Sequence, residues 1–374
     1  MTKNIFVPSN IPLGVFALVY NKLGGSYERI GERGVSHLME HLICKTFDNT
    51  RETLSSLGLD YNAYTSDNQV VIWFSGLTEN LEKVSSLLYE RIIEQPILWT
   101  KDMFENEKST VLQEYGDTFN SQESGFYHNI FREHYNYTGA IGYRADVENV
   151  SYEQSLEYVK MFKIPSTIVQ VDKEFITSID NKEHTGFTAT DKLVFSYYDT
   201  ALEPVPQEDK VLVGLLGINP VKADIGVYSL FSFLLACIND GLESPLFTEI
   251  REKNGLSYYS TGYINSIKKA CIPMFFASTT HDNTAKLEKI YRDFFKRDGK
   301  DVILLDRFNA CKSKFLIKEK MSKILPHSGV FTTVIAEDEN PFVGISSLEY
   351  KDCISKYNEF FNNESEKVFI PIKY

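Results

Sequence analysis

The chain has 374 residues and a formal net charge of −12, and its 43% hydrophobic and 24% charged residues are ordinary for a soluble globular protein. This length exceeds one ordinary hydrophobic core, so we expect two domains. Because the charge balance is acidic and no uncharged apolar run is long, we expect no nucleic-acid partner and no membrane span.

Hydrophobic periodicity predicts alternating strands and helices in the first half of the chain. We predict strands at residues 11–20, 60–65 and 70–76, and helices at residues 34–46, 80–93 and 101–117. The turn residues 66–68 separate two of these strands, and Pro96 follows the second helix and ends it.

The second half repeats parts of the first half in the same order. Residues 58–61, 74–83 and 102–109 resemble residues 255–258, 276–286 and 306–313, respectively. Each match is weak alone, but their common order predicts an internal duplication. We therefore predict an α+β fold of two homologous domains, each a mostly antiparallel sheet with helices packed on one face. The domains are predicted at residues 1–180 and 192–374, joined by a polar linker at 181–191.

Two features indicate a cytoplasmic protein. The N-terminal region shows no signal-peptide pattern, because the apolar run at residues 11–20 lacks a small-residue cleavage site. The five cysteines are scattered and form no C-x-x-C pair. This pattern disfavours both a disulfide framework and a cysteine zinc site, and it fits a reducing compartment best.

The strongest indication of chemistry is the sequence His-Leu-Met-Glu-His at residues 37–41. Residues four apart share one helix face, so His37 and His41 can bind one metal ion. Glu40 lies on the adjoining edge, from which it can reach a metal-bound water. This H-x-x-E-H order inverts the commoner H-E-x-x-H zinc motif. Two histidines at this spacing can also be an ordinary helix face, and a catalytic zinc needs a third protein ligand.

Candidates for that ligand lie on the predicted helix at residues 101–117. Glu107 and Glu114 are two helical turns apart and share one face, whereas Glu105 lies off it. A solvated helix face is the alternative explanation for Glu107 and Glu114, and on the pattern alone it is favoured.

The motif, together with the pattern E-x-E-x-x-x-V-L-x-E that ends at Glu114, resembles the pitrilysin family of zinc peptidases, which includes insulysin and mitochondrial processing peptidase. The resemblance extends to both halves of the chain, through residues 25–28, 62–66 and 251–258. It implies a peptidase that binds one Zn²⁺ per chain through His37, His41 and Glu114. Glu40 is then the general base, and Glu107 is a further catalytic-site carboxylate that orients the site.

The resemblance also implies how peptides bind. Asn62 and Ala63 would lie on an edge strand that pairs with the substrate backbone. Arg251 and Tyr258, in the half without a metal motif, would hold the substrate at the scissile bond. A two-domain chain of this family forms half of a clamshell chamber, so we expect a homodimer or a heterodimer with a related chain.

We accordingly expect a zinc-dependent endopeptidase that hydrolyses unfolded or small peptides inside that chamber. Two alternatives stay open. One is a dedicated peptide- or propeptide-processing subunit of a heterodimer, and the other is a non-catalytic peptide-binding scaffold.

Overall fold

The structure is a computed structural model of a chain that divides into two compact units. It describes residues 2–46, 48–89, 99–120, 122–137, 139–175, 186, 210–217, 221–222, 225–267, 270–324, 340–361 and 369–373. The first unit comprises Met1–Asn120, Phe131–Tyr197 and Ile324–Ile335, and the second comprises Ser121–Ile130, Tyr198–Lys323 and Ala336–Tyr374. The predicted linker at 181–191 lies outside the described residues, Gly186 excepted, so the domain boundaries stay a prediction.

The first part of the chain builds a five-stranded sheet and its helices. Its elements are β1 (Lys3–Val7), β2 (Leu13–Asn21), α1 (Val35–Lys45), α2 (Asp48–Ser56), β3 (Asp60–Thr65), β4 (Gln69–Leu77), α3 (Thr78–Tyr89), α4 (Lys101–Asn120), α5 (Gln122–Tyr135), α6 (Arg144–Asn149), α7 (Tyr152–Tyr158) and β5 (Thr167–Val171). The strand order is β1-β5-β2-β4-β3. Only the β1–β5 pair is parallel among these neighbours.

Strand β2 is central because both of its faces are buried. Phe16 and Leu18 point into the larger core, which they share with helices α1, α3 and α4, and Val15 and Ala17 pack into a second cluster on the opposite face. Since successive strand residues point to opposite faces, a run of seven buried residues requires cover on both sides.

The second part of the chain also builds a five-stranded sheet, in which the neighbouring strands are antiparallel. Its elements are β6 (Val211–Gly217), β7 (Val221–Lys222), α8 (Ile225–Asn239), α9 (Pro245–Phe247), β8 (Thr261–Ile267), β9 (Ala270–Thr279), α10 (Thr284–Phe295), α11 (Gly299–Val302), α12 (Leu305–Ile324), α13 (Tyr350–Phe361) and β10 (Phe369–Lys373). The order is β10-β6-β9-β7, and β8 also pairs with β9. The predicted α+β fold with mostly antiparallel sheets is therefore confirmed.

The repeated sequence segments occupy equivalent places in the two sheets. Gly58 and Gly255 both adopt a positive φ, 63° and 60° respectively. Strand β4 leads into α3 as β9 leads into α10, and Asp102 and Asp306 lie in the first turns of the 20-residue helices α4 and α12. Each glycine permits a left-handed turn that most side chains disfavour.

The described helices include none that is long and apolar enough to cross a membrane. The five cysteines carry free thiols, four of them buried.

Candidate metal centre

Helix α1 packs its apolar side into the core and turns its histidines toward α4. Leu38, Met39 and Leu42 are fully buried. The rings of His37 and His41 are nearly perpendicular, with centroids 4.8 Å apart, and the two side chains are 15% and 17% exposed. The one-turn spacing thus places both imidazoles on one helix face.

Helix α4 supplies the two glutamates from one stripe of its surface. Phe104, Glu107, Val111 and Glu114 follow one another at intervals of three or four residues, and such residues are neighbours on a helix. Phe104 and Val111 are buried in the core, which fixes the rotation of α4. The Glu107 side chain is only 14% exposed and that of Glu114 is 44% exposed, so Glu107 does not lie on a solvated face.

His37, His41 and Glu114 converge on one point. Oε2 of Glu114 lies 3.5 Å from Nε2 of His37 and 3.6 Å from Nε2 of His41. In the part of the chain that the structure describes, these three residues form the single group of three metal-ligating side chains whose ligand atoms lie within 4.8 Å of one another.

This arrangement fits a zinc ion. Zinc bonds to nitrogen and oxygen are about 2.0–2.1 Å long, so two ligands of a tetrahedral site stand roughly 3.4 Å apart. The observed 3.5 and 3.6 Å are close to this value, and they exceed the roughly 2.8 Å of a charge-assisted hydrogen bond. Two imidazoles and one carboxylate leave the fourth position open, as in catalytic zinc sites.

The surroundings of the two histidines differ. Burial, and then the neighbouring His41, lower the pKa of His37 to about 4, so this ring is neutral at pH 7 and able to bind metal. Nδ1 of His37 is buried without a hydrogen-bond partner among the described residues. Nδ1 of His41, in contrast, lies 3.5 Å from Oε2 of Glu107, whose other oxygen lies 3.7 Å from the Lys45 ammonium. Glu107 is therefore positioned to orient His41.

Glu40 lies beside the centre in a confined position. It is 9% exposed, and its Oε2 accepts a 2.7 Å hydrogen bond from the Thr65 hydroxyl of β3. Burial raises the pKa of Glu40, while the Thr65 hydrogen bond and His41 partly oppose that rise. Thr65 could not be predicted as a site residue, because a strand threonine matches no catalytic motif and its contact with Glu40 spans 25 positions of the chain.

A cavity of about 520 Å³ opens next to the centre within the first unit. Glu40, His41 and Glu107 line it, together with Asn62 and Ala63 of β3. Among the described strands, β3 lies at the edge of its sheet. The structure thus brings the predicted strand segment to the cavity that contains the predicted base.

The two remaining predicted site residues contact each other in the second unit. The Arg251 guanidinium carbon lies 4.5 Å from the ring centroid of Tyr258 and 5.2 Å from that of Phe247. The Tyr258 side chain is exposed, at 79%. Both rings lie close enough for a cation–π contact with the guanidinium, and Nε of Arg251 also lies 3.5 Å from Oε1 of Glu252.

Comparisons with known proteins show which family and which folds the chain resembles. Residues 16–140 match the family described as insulinase (peptidase family M16). The chain is 23% identical to an uncharacterized zinc protease of Rickettsia bellii (strain RML369-C) over 98% of each chain. A solved protease from Helicobacter pylori has a TM-score of 0.79 at 17% identity, over 100% of this chain and 98% of that chain. A peptidase M16 inactive domain from Pseudomonas fluorescens has a TM-score of 0.75 at 14% identity, with 100% and 95% covered.

Proposed function

We propose that this chain, which belongs to the insulinase family (peptidase family M16) through residues 16–140, is a zinc-dependent endopeptidase acting on unfolded or small peptides. The observation that carries the proposal is that Oε2 of Glu114 lies within 3.6 Å of Nε2 of both His37 and His41, with Glu40 on the same helix as the histidines. These ligands would hold one Zn²⁺ per chain. The similarity to an uncharacterized zinc protease supports the same activity.

The residues around the metal position divide the chemistry among them. Bound zinc would supply a Lewis acid that polarises the peptide carbonyl and makes a water acidic enough to ionise near neutral pH. Glu40 would take the proton of the attacking water and deliver it to the leaving amine. Thr65 would hold the Glu40 carboxylate in place, and Glu107 would keep the His41 ring turned toward the metal.

Substrate binding would use β3 and the second unit. A peptide strand added along Asn62 and Ala63 would lie against the cavity that contains Glu40. The Ala63 amide donates a 2.8 Å hydrogen bond to Oδ1 of the Asn62 side chain, so Asn62 would have to rotate for this amide to pair with a peptide. Tyr258 and Arg251 would donate hydrogen bonds to the substrate carbonyl in the transition state.

The assembly and location are part of the same proposal. The chain would form half of an enclosed chamber, completed by a second copy or by a related chain, and the enclosure would exclude folded proteins. Five free thiols fit a reducing cytoplasm.

Two other functions can be distinguished from this one by which peptides, if any, the protein cleaves. A dedicated processing subunit would use the same residues on a single propeptide. A non-catalytic scaffold would bind peptides without cleaving them, and the similarity to an inactive M16 domain keeps this alternative relevant. All five residues that the resemblance implies at the centre are present, which favours catalysis: His37, Glu40, His41, Glu107 and Glu114.

The test is Glu40→Gln, compared with His41→Ala as the matched control. A random peptide pool would be incubated with each purified protein, with and without a chelator, and the products identified by mass spectrometry. We expect cleavage by the native protein that the chelator abolishes. Glu40→Gln should lose cleavage while still binding zinc, and His41→Ala should lose both. Full activity of Glu40→Gln would refute the assignment of the base.

A further inference from the structure

The helix that carries both histidines begins without a capping side chain of its own. Gly34 occupies the N-cap position of α1 in a left-handed conformation, with φ 94° and ψ 0°. The first amides of a helix have no partner within the helix and must be satisfied from elsewhere. At α1 the hydrogen bonding of these first amides affects the proposed metal centre directly, because His37 lies in the first turn of the helix.

Glu28 satisfies two of these amides from the loop before the helix. Its Oε2 accepts a 2.6 Å hydrogen bond from the Gly34 amide, and its Oε1 accepts another of 2.6 Å from the Ser36 amide. A carboxylate at a helix N-terminus also interacts favourably with the helix dipole. Glu28 therefore fixes the residue directly before His37.

Glu28 is itself held firmly, because its side chain is only 4% exposed. Burial raises the pKa of its carboxyl to about 7, and the two amide bonds and the charge of Arg33 oppose that rise. The adjacent Arg33 amide donates a 3.0 Å hydrogen bond to Asp146 of α6. Two acidic side chains thus fasten the start of α1 within the first unit.

We propose that Glu28 is a positioning residue of the metal centre: through the Gly34 and Ser36 amides it sets where α1 begins, and so where His37 and His41 stand relative to Glu114. This inference rests on the proposed zinc site. Three ligand atoms that converge from two separate helices need those helices held to within a fraction of an ångström. The two 2.6 Å hydrogen bonds that Glu28 accepts come from backbone amides of α1 and its N-cap, so Glu28 would act on the ligands through the backbone.

The experiment compares Glu28→Gln with Ser151→Ala. A glutamine presents an NH₂ group to one of the two amides, so it can keep at most one hydrogen bond. Ser151 caps α7 in the same unit by accepting from the Gln154 amide at 3.1 Å, and neither residue is part of the metal centre. The control therefore removes a helix cap of the same unit while leaving α1 intact.

Two quantities would be measured on folded protein, well below the unfolding temperature of each variant. The first is the dissociation constant for zinc, by competition with a chelator. The second is the hydrogen-exchange rate of the Gly34 and Ser36 amides in the metal-free protein. We expect Glu28→Gln to weaken zinc binding by roughly 10-fold or more, as loss of residues that orient ligands usually does, and to speed exchange at both amides. Ser151→Ala should lower the melting temperature without changing either quantity.

The outcomes separate this inference from the proposed function. If Glu28→Gln binds zinc as tightly as the Ser151→Ala control, Glu28 is merely structural and the inference is wrong. If the native protein binds no zinc, the proposed function fails instead, and unchanged exchange at the two amides would then independently refute the anchoring role. If Glu28→Gln does not fold, Glu28→Asp replaces it, because the shorter side chain keeps the charge but cannot reach both amides.

Discussion

Thr65 shows how a single hydroxyl can restrain the side chain of the proposed general base. Its side chain donates to Oε2 of Glu40 from the neighbouring strand, so the carboxylate is held from outside the helix that carries it. A general base works only when its reactive oxygen stays within hydrogen-bond reach of the proton it abstracts. Thr65 restricts which rotamers of Glu40 meet that condition.

We therefore expect Thr65→Val to lower kcat while the zinc dissociation constant stays unchanged. Valine keeps the shape of threonine but removes the donor. A hydrogen bond to a charged group contributes about 1.5–3 kcal/mol, so the expected loss is roughly 10- to 100-fold. Steady-state cleavage of a quenched peptide, combined with chelator competition, would measure both values.

The control for this variant is Thr110→Val on the exposed side of α4. The Thr110 hydroxyl bonds the Asn106 carbonyl within its own helix. This change should leave kcat close to the native value. If Thr65→Val were equally active, the proposed restraint on Glu40 would have no catalytic role.

The residues that converge at the proposed metal centre could be predicted from the sequence, and the residues that hold this centre in place could not. His37 and His41 share a helix face through a local spacing rule, and the motif then points to Glu114 by family resemblance. Thr65 and Glu28 touch the site through contacts made by the tertiary fold, one to a side chain and one to backbone amides. No spacing rule predicts such contacts.

At the scale of the secondary-structure element, the start of α1 is sterically constrained as well as hydrogen-bonded. A Cβ atom on Gly34 would lie 2.8 Å from the Ile141 carbonyl oxygen and 2.8 Å from Val147 Cγ2. Both distances are shorter than real Cβ contacts, so an added methyl group would push α1 away from α6. Gly34 also has a positive φ, which an L side chain adopts only with strain.

These two effects can be separated by comparing Gly34→Ala with Gly58→Ala. Gly58 also has a positive φ, 63°, but a Cβ there would meet nothing within 4 Å. Gly58→Ala should therefore cost only the backbone strain, about 1 kcal/mol. Gly34→Ala should cost about 3 kcal/mol, because a steric clash adds to that strain. Urea unfolding monitored by circular dichroism would give both values, and equal costs would show that α1 can shift freely.

The predicted helices and strands agree with the observed ones where hydrophobic periodicity or flanking turn residues marked the element clearly. The helix predicted at residues 34–46 is α1, Val35–Lys45, and the strand predicted at 60–65 is β3, Asp60–Thr65. Strands β1 and β5 were not predicted. Each has five residues, and they pair with each other across more than 160 positions of the chain. A short strand that is stabilised by such a distant partner leaves too little local pattern to recognise.

At the scale of the whole molecule, the proposed site residues are divided between the two units. Glu40 and the metal ligands belong to the first unit, and Arg251 belongs to the second. In a homodimer, a working centre would then draw its second-unit residues either from the same chain or from the partner. Mixing two inactive variants, each with a substitution in a different unit, distinguishes these arrangements.

We expect that mixing Glu40→Gln chains with Arg251→Ala chains restores cleavage if each centre is completed by the partner chain. Random pairing of equal amounts makes half of the dimers mixed, and one of the two centres in each mixed dimer is then intact, so about a quarter of native activity should return. The matched control mixes Glu40→Gln with His41→Ala. Both of these lesions lie in the first unit, so no pairing assembles an intact centre and no activity should return. If the first mixture stays as inactive as this control at every ratio and after denaturation and refolding together, then centres are not shared between chains, and each chain supplies its own Arg251.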